Sequence, residues 1–121
     1  MEKLTKQEEE AMLIVWRLER GTIGELLEQI PDPKPLYTTL ASTLKNLERK
    51  NYLGFRRYGN VYDYFPVISH EAYKKTFMGS VVENYFENSY KEMVSFFAKE
   101  NKISAQELQE ILTMIENSET K

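Results

Sequence analysis

The 121-residue chain contains no cysteine. That absence excludes disulfide frameworks, thiolate nucleophiles and every metal site built on sulfur. Histidine occurs once, at His70, so a multi-histidine metal site within one subunit is excluded as well. No cofactor is expected. The sequence has neither a glycine-rich phosphate loop nor a nucleophile motif. The consecutive acids Glu8, Glu9 and Glu10 read as partners of a helix N-terminal dipole, not as a catalytic carboxylate pair. An enzyme is therefore not expected. No apolar run approaches the roughly 18 residues of a membrane span. The opening MEKLTKQEEE has no apolar segment. A cytoplasmic protein with no membrane partner is expected.

Positive charge is also in deficit: 16 Lys and Arg face 19 Asp and Glu, a net charge of -3. Its distribution is uneven. Between Lys34 and Asn60, six basic residues (Lys34, Lys45, Arg49, Lys50, Arg56, Arg57) face one acid, Glu48. The surplus acid lies beyond Ser69, with nine acidic against six basic residues. Local positive charge of this kind steers toward phosphate.

The periodicity indicates three helices, then a hairpin, then more helix. Thr5 with Glu8, and Thr22 with Glu25, are capping-box patterns that start helices near residues 6 and 23. Gly21 is the expected left-handed stop of the first. Pro31, Pro33 and Pro35 separate the second helix from a third over about 36–50. In the third, Leu36, Leu40, Leu44 and Leu47 form one core-facing stripe. Aromatic-rich segments at 54–58 and 61–65 flank Gly59-Asn60, a hairpin turn pair, and Pro66 ends the second strand. Ser69 starts a helix, Asn88-Ser89 separates a second, and Ser104 with Glu107 opens a last one. The tail 117–121 is polar and expected to fray.

This order is that of a winged helix-turn-helix, mostly α with a small β-hairpin wing, followed by C-terminal helical dimerisation arms. The expected division is a winged-helix DNA-binding domain at 1–68 and a helical dimerisation domain at 69–121. In a winged domain the third helix enters the major groove and the hairpin touches the adjacent backbone. Base edges are read by side chains that donate or accept hydrogen bonds. Five of the seven residues from Tyr37 to Thr43 carry a hydroxyl, although Thr and Ser are mediocre helix formers. The expected contacts to DNA are Thr38, Thr39, Ser42, Thr43, Lys45, Asn46 and Arg49 on the helix. On the wing they are Arg56, Arg57 and Asn60. Arg56 and Arg57 point to opposite faces of a strand, so one of them is expected to meet a phosphate directly.

Four segments together resemble the penicillinase repressor family of transcriptional regulators. They are Leu4-Thr5 with Glu10-Ala11-Met12 and Val15-Trp16; Thr22 to Leu26; Thr39 to Lys50; and the tail from Ser69 to Glu116, with Ile103 to Leu108 closing it. In the third segment Ser42 stands for a family Thr, Asn46 for an Arg, and Asn51 for a Gly. The resemblance implies a homodimeric repressor on palindromic double-stranded operator DNA. The implied dimer contacts are Tyr73, Phe77, Val81, Tyr85, Phe86, Met93, Phe97, Leu108, Ile111, Leu112 and Ile115, which also form apolar stripes along the C-terminal helices. Antibiotic-responsive members are cut by proteolysis at an Asn-Phe bond. Phe96-Phe97 aligns there without the Asn, so the same cut is not expected. Copper-responsive members use paired cysteines, which this chain lacks. The inducing signal, a sensor protease or a ligand, stays open.

Two other readings share the fold. Pro35-Leu36-Tyr37 and Leu47 to Leu53 also resemble PadR-like helices, and PadR-like or MarR-like regulators respond to small ligands. A winged-helix module for protein-protein contact is the other, but it needs neither the basic window nor the hydroxyl-rich helix face.

Overall fold

The computed structural model describes residues 1–119. Thr5 starts helix α1 (Lys6–Leu18) with the expected capping box: its hydroxyl accepts from the Glu8 N–H, and its own N–H donates to Glu8 Oε1 at 2.8 Å. The stop differs from expectation. Glu19, not Gly21, takes the left-handed conformation (φ 71°) and donates its N–H to the Val15 carbonyl. Gly21 lies in a short strand, β1 (Gly21–Thr22). A Cβ there would sit 2.8 Å from Leu26 Cδ2, so close approach of backbone to core explains the glycine.

Thr22 and Glu25 form a second capping box on α2 (Ile23–Gln29). Helix α3 (Tyr37–Arg49) buries Leu40, Leu44 and Leu47 as expected. Leu36 is the exception: it is 74% exposed, at the N-cap and outside the stripe. At the other end Asn51 takes φ 66°. Asn51 donates its N–H to the Glu48 carbonyl and Tyr52 to the Leu47 carbonyl, a Schellman ending in which Asn serves where Gly is commoner.

Strands β2 (Leu53–Tyr58) and β3 (Val61–Pro66) pair antiparallel, with Leu53 opposite Pro66 and Tyr58 opposite Val61. Gly59 has φ 62° and Asn60 is not left-handed, the type II′ pattern for a two-residue turn. β1 adds to the other edge of β3, giving the order β1-β3-β2. One cluster forms the core, in which Met12, Val15, Leu26, Leu44, Leu47, Tyr52 and Tyr64 are buried. The fold is a winged helix with C-terminal helices: α4 (His70–Tyr85), α5 (Tyr90–Lys99) and α6 (Ala105–Glu119). Helix α6 runs through 117–119, where fraying was expected; Thr120 and Lys121 lie outside the described residues.

The chain divides into two compact units, Met1–Thr76 and the residues from Phe77 onward. The first unit extends past residue 68 because side chains of α1 hold the start of α4. Trp16 donates its indole N–H to the Ile68 carbonyl at 2.9 Å and stacks on His70, ring centroids 4.5 Å apart. His70 is thus half-buried against an aromatic face. Tyr73 packs on Trp16 and Tyr52 and donates its hydroxyl to Glu9 at 2.6 Å. Burial, and then that hydrogen bond, push the Tyr73 phenol far above its usual range. Tyr73 therefore packs in the winged-helix unit and has an intramolecular role beside the dimer contact inferred from sequence. In the second unit Ser89 and Ser104 cap α5 and α6, and among the described residues Val82 is the apolar one that is buried there.

Candidate nucleic-acid interface

The leucine stripe decides which face of α3 is free. Leu40, Leu44 and Leu47 turn inward, so Thr38, Ser42, Lys45 and Arg49 fall on the opposite side, and all four are exposed. Among the described residues, none of these four side chains makes an intramolecular hydrogen bond or ion pair. The face therefore offers two hydroxyls and two cations with their full bonding capacity, and no carboxylate.

The remaining helix residues sit differently. Thr39 and Thr43 lie toward α1 and line a cleft between α1, the proline turn and α3. The Thr43 hydroxyl donates to the Thr39 carbonyl at 3.1 Å, a back-bond that occupies its proton. Asn46 is half-buried at the flank.

The structure also reapportions the positive charge between Lys34 and Asn60. The Lys34 ammonium caps α2, donating to the Leu27 and Ile30 carbonyls at 3.0 and 2.5 Å. Lys50 is 2.6 Å from Glu8 Oε1 and 3.0 Å from the Lys3 carbonyl. Burial pushes the Glu8 carboxyl up, but Lys50 and the Thr5 N–H outweigh it and hold the group below its ordinary value. The cations left to meet a ligand are Lys45, Arg49, Arg56 and Arg57.

On the wing, Arg56 stands opposite Asp63 in the register. Cross-strand partners share a face and approach closely, so Asp63 would cancel Arg56. Arg20 intervenes: its Nε donates to both Asp63 oxygens at 2.8 and 2.9 Å, and its Nη2 reaches Glu25 at 2.7 Å. Arg56 instead lies over the Phe65 ring. Arg57, on the other face, lies over Tyr62 and donates Nε to the Gly59 carbonyl at 2.8 Å. Asn60 is exposed at the tip.

A three-helix scaffold, an exposed polar helix and a cationic wing are the parts of a DNA-reading module. The model of the penicillinase repressor family matches residues 4–117. The chain belongs to the penicillinase repressor family. No curated protein matches it. As a penicillinase repressor it is a DNA-binding regulator of transcription, from a family of repressors and not of enzymes. Among the described residues, no group of three or more His, Asp or Glu could hold a metal ion, and no helix is long and apolar enough to cross a membrane.

Three tyrosines of this penicillinase repressor were not among the expected contacts. Tyr37, at the start of α3, and Tyr58 and Tyr62 on the wing are exposed. Tyr37 and Tyr62 lie near Tyr64, whose phenol is pushed up first by burial and then by Glu48, Tyr62 and Tyr37. They mark the junction of α3 and the wing. The signal was present: Tyr37 belongs to the hydroxyl-rich run of α3, and Tyr58 and Tyr62 to the aromatic-rich segments, which the sequence marks only as strand formers.

Arg20→Ala is expected to weaken DNA binding about threefold at low salt by releasing Asp63 toward Arg56. Arg20→Ala with Asp63→Asn should recover most of that loss. Fluorescence anisotropy on one labelled duplex measures both.

Proposed function

We propose that this repressor binds operator DNA as a homodimer, α3 lying in the major groove and the β2–β3 hairpin on the flanking phosphates. The observation that carries the reading is the exposed, carboxylate-free and intramolecularly unbonded face of Thr38, Ser42, Lys45 and Arg49. Thr38 and Ser42 read base edges; Lys45 and Arg49 supply guanine or phosphate contacts. One of Arg56 and Arg57, which lie on opposite faces of β2, meets backbone together with Asn60, with the hydroxyls of Tyr37, Tyr58 and Tyr62 as further phosphate donors. Thr39, Thr43 and Asn46 lie at the margins of the reading face.

Dimerisation is supported by what the second unit leaves uncovered. Tyr85 is 77% exposed, and Ile111, Leu112 and Ile115 on α6 are all close to half exposed. Phe77 and Phe97 are exposed too, while Val81, Phe86, Met93 and Leu108 are half-buried. Apolar surface on this scale marks an interaction site, and a second copy supplies a self-complementary partner. A two-fold dimer pairs with a palindromic operator. The place of action is the cytoplasm, where the DNA is.

The test is a mobility shift against the DNA upstream of the repressor's own gene, with a salt series. Thr38→Ala with Ser42→Ala should narrow the gap between operator and unrelated DNA, by about 1–3 kcal/mol for each base no longer read. Lys45→Ala should weaken binding to all sequences and reduce the salt slope by about one. Equal losses on all sequences from both variants would reject this division of roles. Absence of binding to any DNA at low salt would reject the reading.

A further inference from the structure

The cleft beside α3 has the dimensions and chemistry of a small-molecule site. Its volume is about 620 Å³, within the range of roughly 300–1,000 Å³ typical of such sites. It is bounded by α1, by the turn Pro31 to Pro35, and by Thr39, Leu40 and Thr43 of α3. Its walls are largely apolar. Ile14, Ile30 and Pro31 contribute, and Leu13 lines the cleft while 46% exposed. Covering that leucine is favourable for any apolar body of fitting size.

The polar groups specify a charge. Glu10 and Asp32 both line the cleft, and among the described residues neither has an ion-pair or hydrogen-bond partner for its carboxylate. The wall also carries one cation, Arg17, whose Nη2 donates to the neutral Gln29 Oε1 at 3.1 Å, so the lining sums to two negative charges against one positive. Two unpaired carboxylates beside apolar walls favour a ligand that brings a positive charge and a desolvated body together.

We propose that this cleft binds a hydrophobic organic cation, a compact apolar body bearing one positive centre, and that its occupancy weakens the grip on DNA. The link to DNA is mechanical. Leu40, Thr39 and Thr43 are on the same helix as the reading face, one side toward the cleft and the other toward solvent. The start of α3 is lightly held: its N-cap is Leu36, which is exposed and supplies no side-chain cap. A body wedged between Leu13 and Leu40 displaces that end of the helix. This regulatory half rests on the DNA-binding mode proposed above; the binding half does not.

The experiment uses two ions of the same shape and opposite charge, tetraphenylphosphonium and tetraphenylborate, titrated calorimetrically into the full chain without DNA. One saturable site per chain is expected for the cation, with the anion at least about tenfold weaker. Glu10→Gln with Asp32→Asn should reduce cation affinity about tenfold, and Leu13→Lys, at an exposed position, should abolish it. No saturation, equal affinity for both ions, or wild-type affinity in these variants overturns the proposal. Mobility shifts then test regulation: the cation should raise the DNA dissociation constant of the wild type and not of Leu13→Lys. Cation binding that leaves DNA affinity unchanged overturns the regulatory half. Failure to bind DNA with or without the cation rejects the DNA-binding mode and leaves the calorimetric result standing.

Discussion

Replacing Ile111 and Leu112 on α6 with Asp is expected to leave a folded monomer that has lost roughly a thousandfold in affinity for a two-half-site operator. Both side chains are already close to half exposed within one chain, so the substitutions cost little where no partner is present. In a dimer they place charges in an apolar interface, where an uncompensated charge is strongly destabilising. Two linked half-site readers gain about 10² to 10⁴ in avidity over one, and the monomer forfeits that gain. Sedimentation equilibrium gives the association state, and mobility shifts on full and half operators give the affinity. The loss should be confined to the full operator, because α3 and the wing are untouched. Equal loss on the half-site would place the defect in the winged unit instead.

Replacing Lys50 with Met is expected to destabilise the winged unit by about 3 kcal/mol at neutral pH, the scale for removing one partner of a buried ion pair. The Glu8 side chain is 6% exposed and Lys50 14%, so Glu8 would be left charged and nearly out of water. The pH dependence should flatten as well. In the wild type the Glu8 carboxyl lies below its usual value. Its contribution is therefore present above the unfolded-state value and is lost as pH falls through the folded one. Without Lys50, burial is opposed only by the Thr5 hydrogen bonds, so the folded value rises and the variant loses less stability than the wild type as pH falls. Urea unfolding between about pH 3 and pH 6, which brackets a carboxyl whose ordinary value is near 4.5 and whose folded value lies below it, measures both slopes. Parallel slopes would show that Lys50 does not set the Glu8 charge.

Much of the fold was legible because its signals are local. The capping boxes at Thr5, Thr22 and Ser104 require only a residue and its third neighbour. The leucine stripe of α3 requires only helical spacing, and Gly59-Asn60 only the stereochemistry of a two-residue turn. Features that join distant parts of the chain were not legible. β1 is two residues long and exists because β3 lies beside it. Gly21 looked like a helix stop, whereas the Leu26 side chain is what excludes a Cβ there. Leu36 fits the periodic stripe but falls one residue outside the helix, and so faces solvent.

For the binding face, the order of elements and the composition of α3 together determined that a polar, cationic helix would sit beside an arginine-bearing hairpin. Those properties follow from residue spacing and side-chain chemistry, which the chain carries before it folds. Only the tertiary structure decided which cations are available. Glu8 and Lys50 are 42 residues apart, as Arg20 and Asp63 are 43 apart. Nothing in a linear count pairs them, since ion pairing depends on distance in space and on burial. The same holds for Thr39 and Thr43, which share a helix with Thr38 and Ser42 yet face α1, because the core fixes how α3 is rotated.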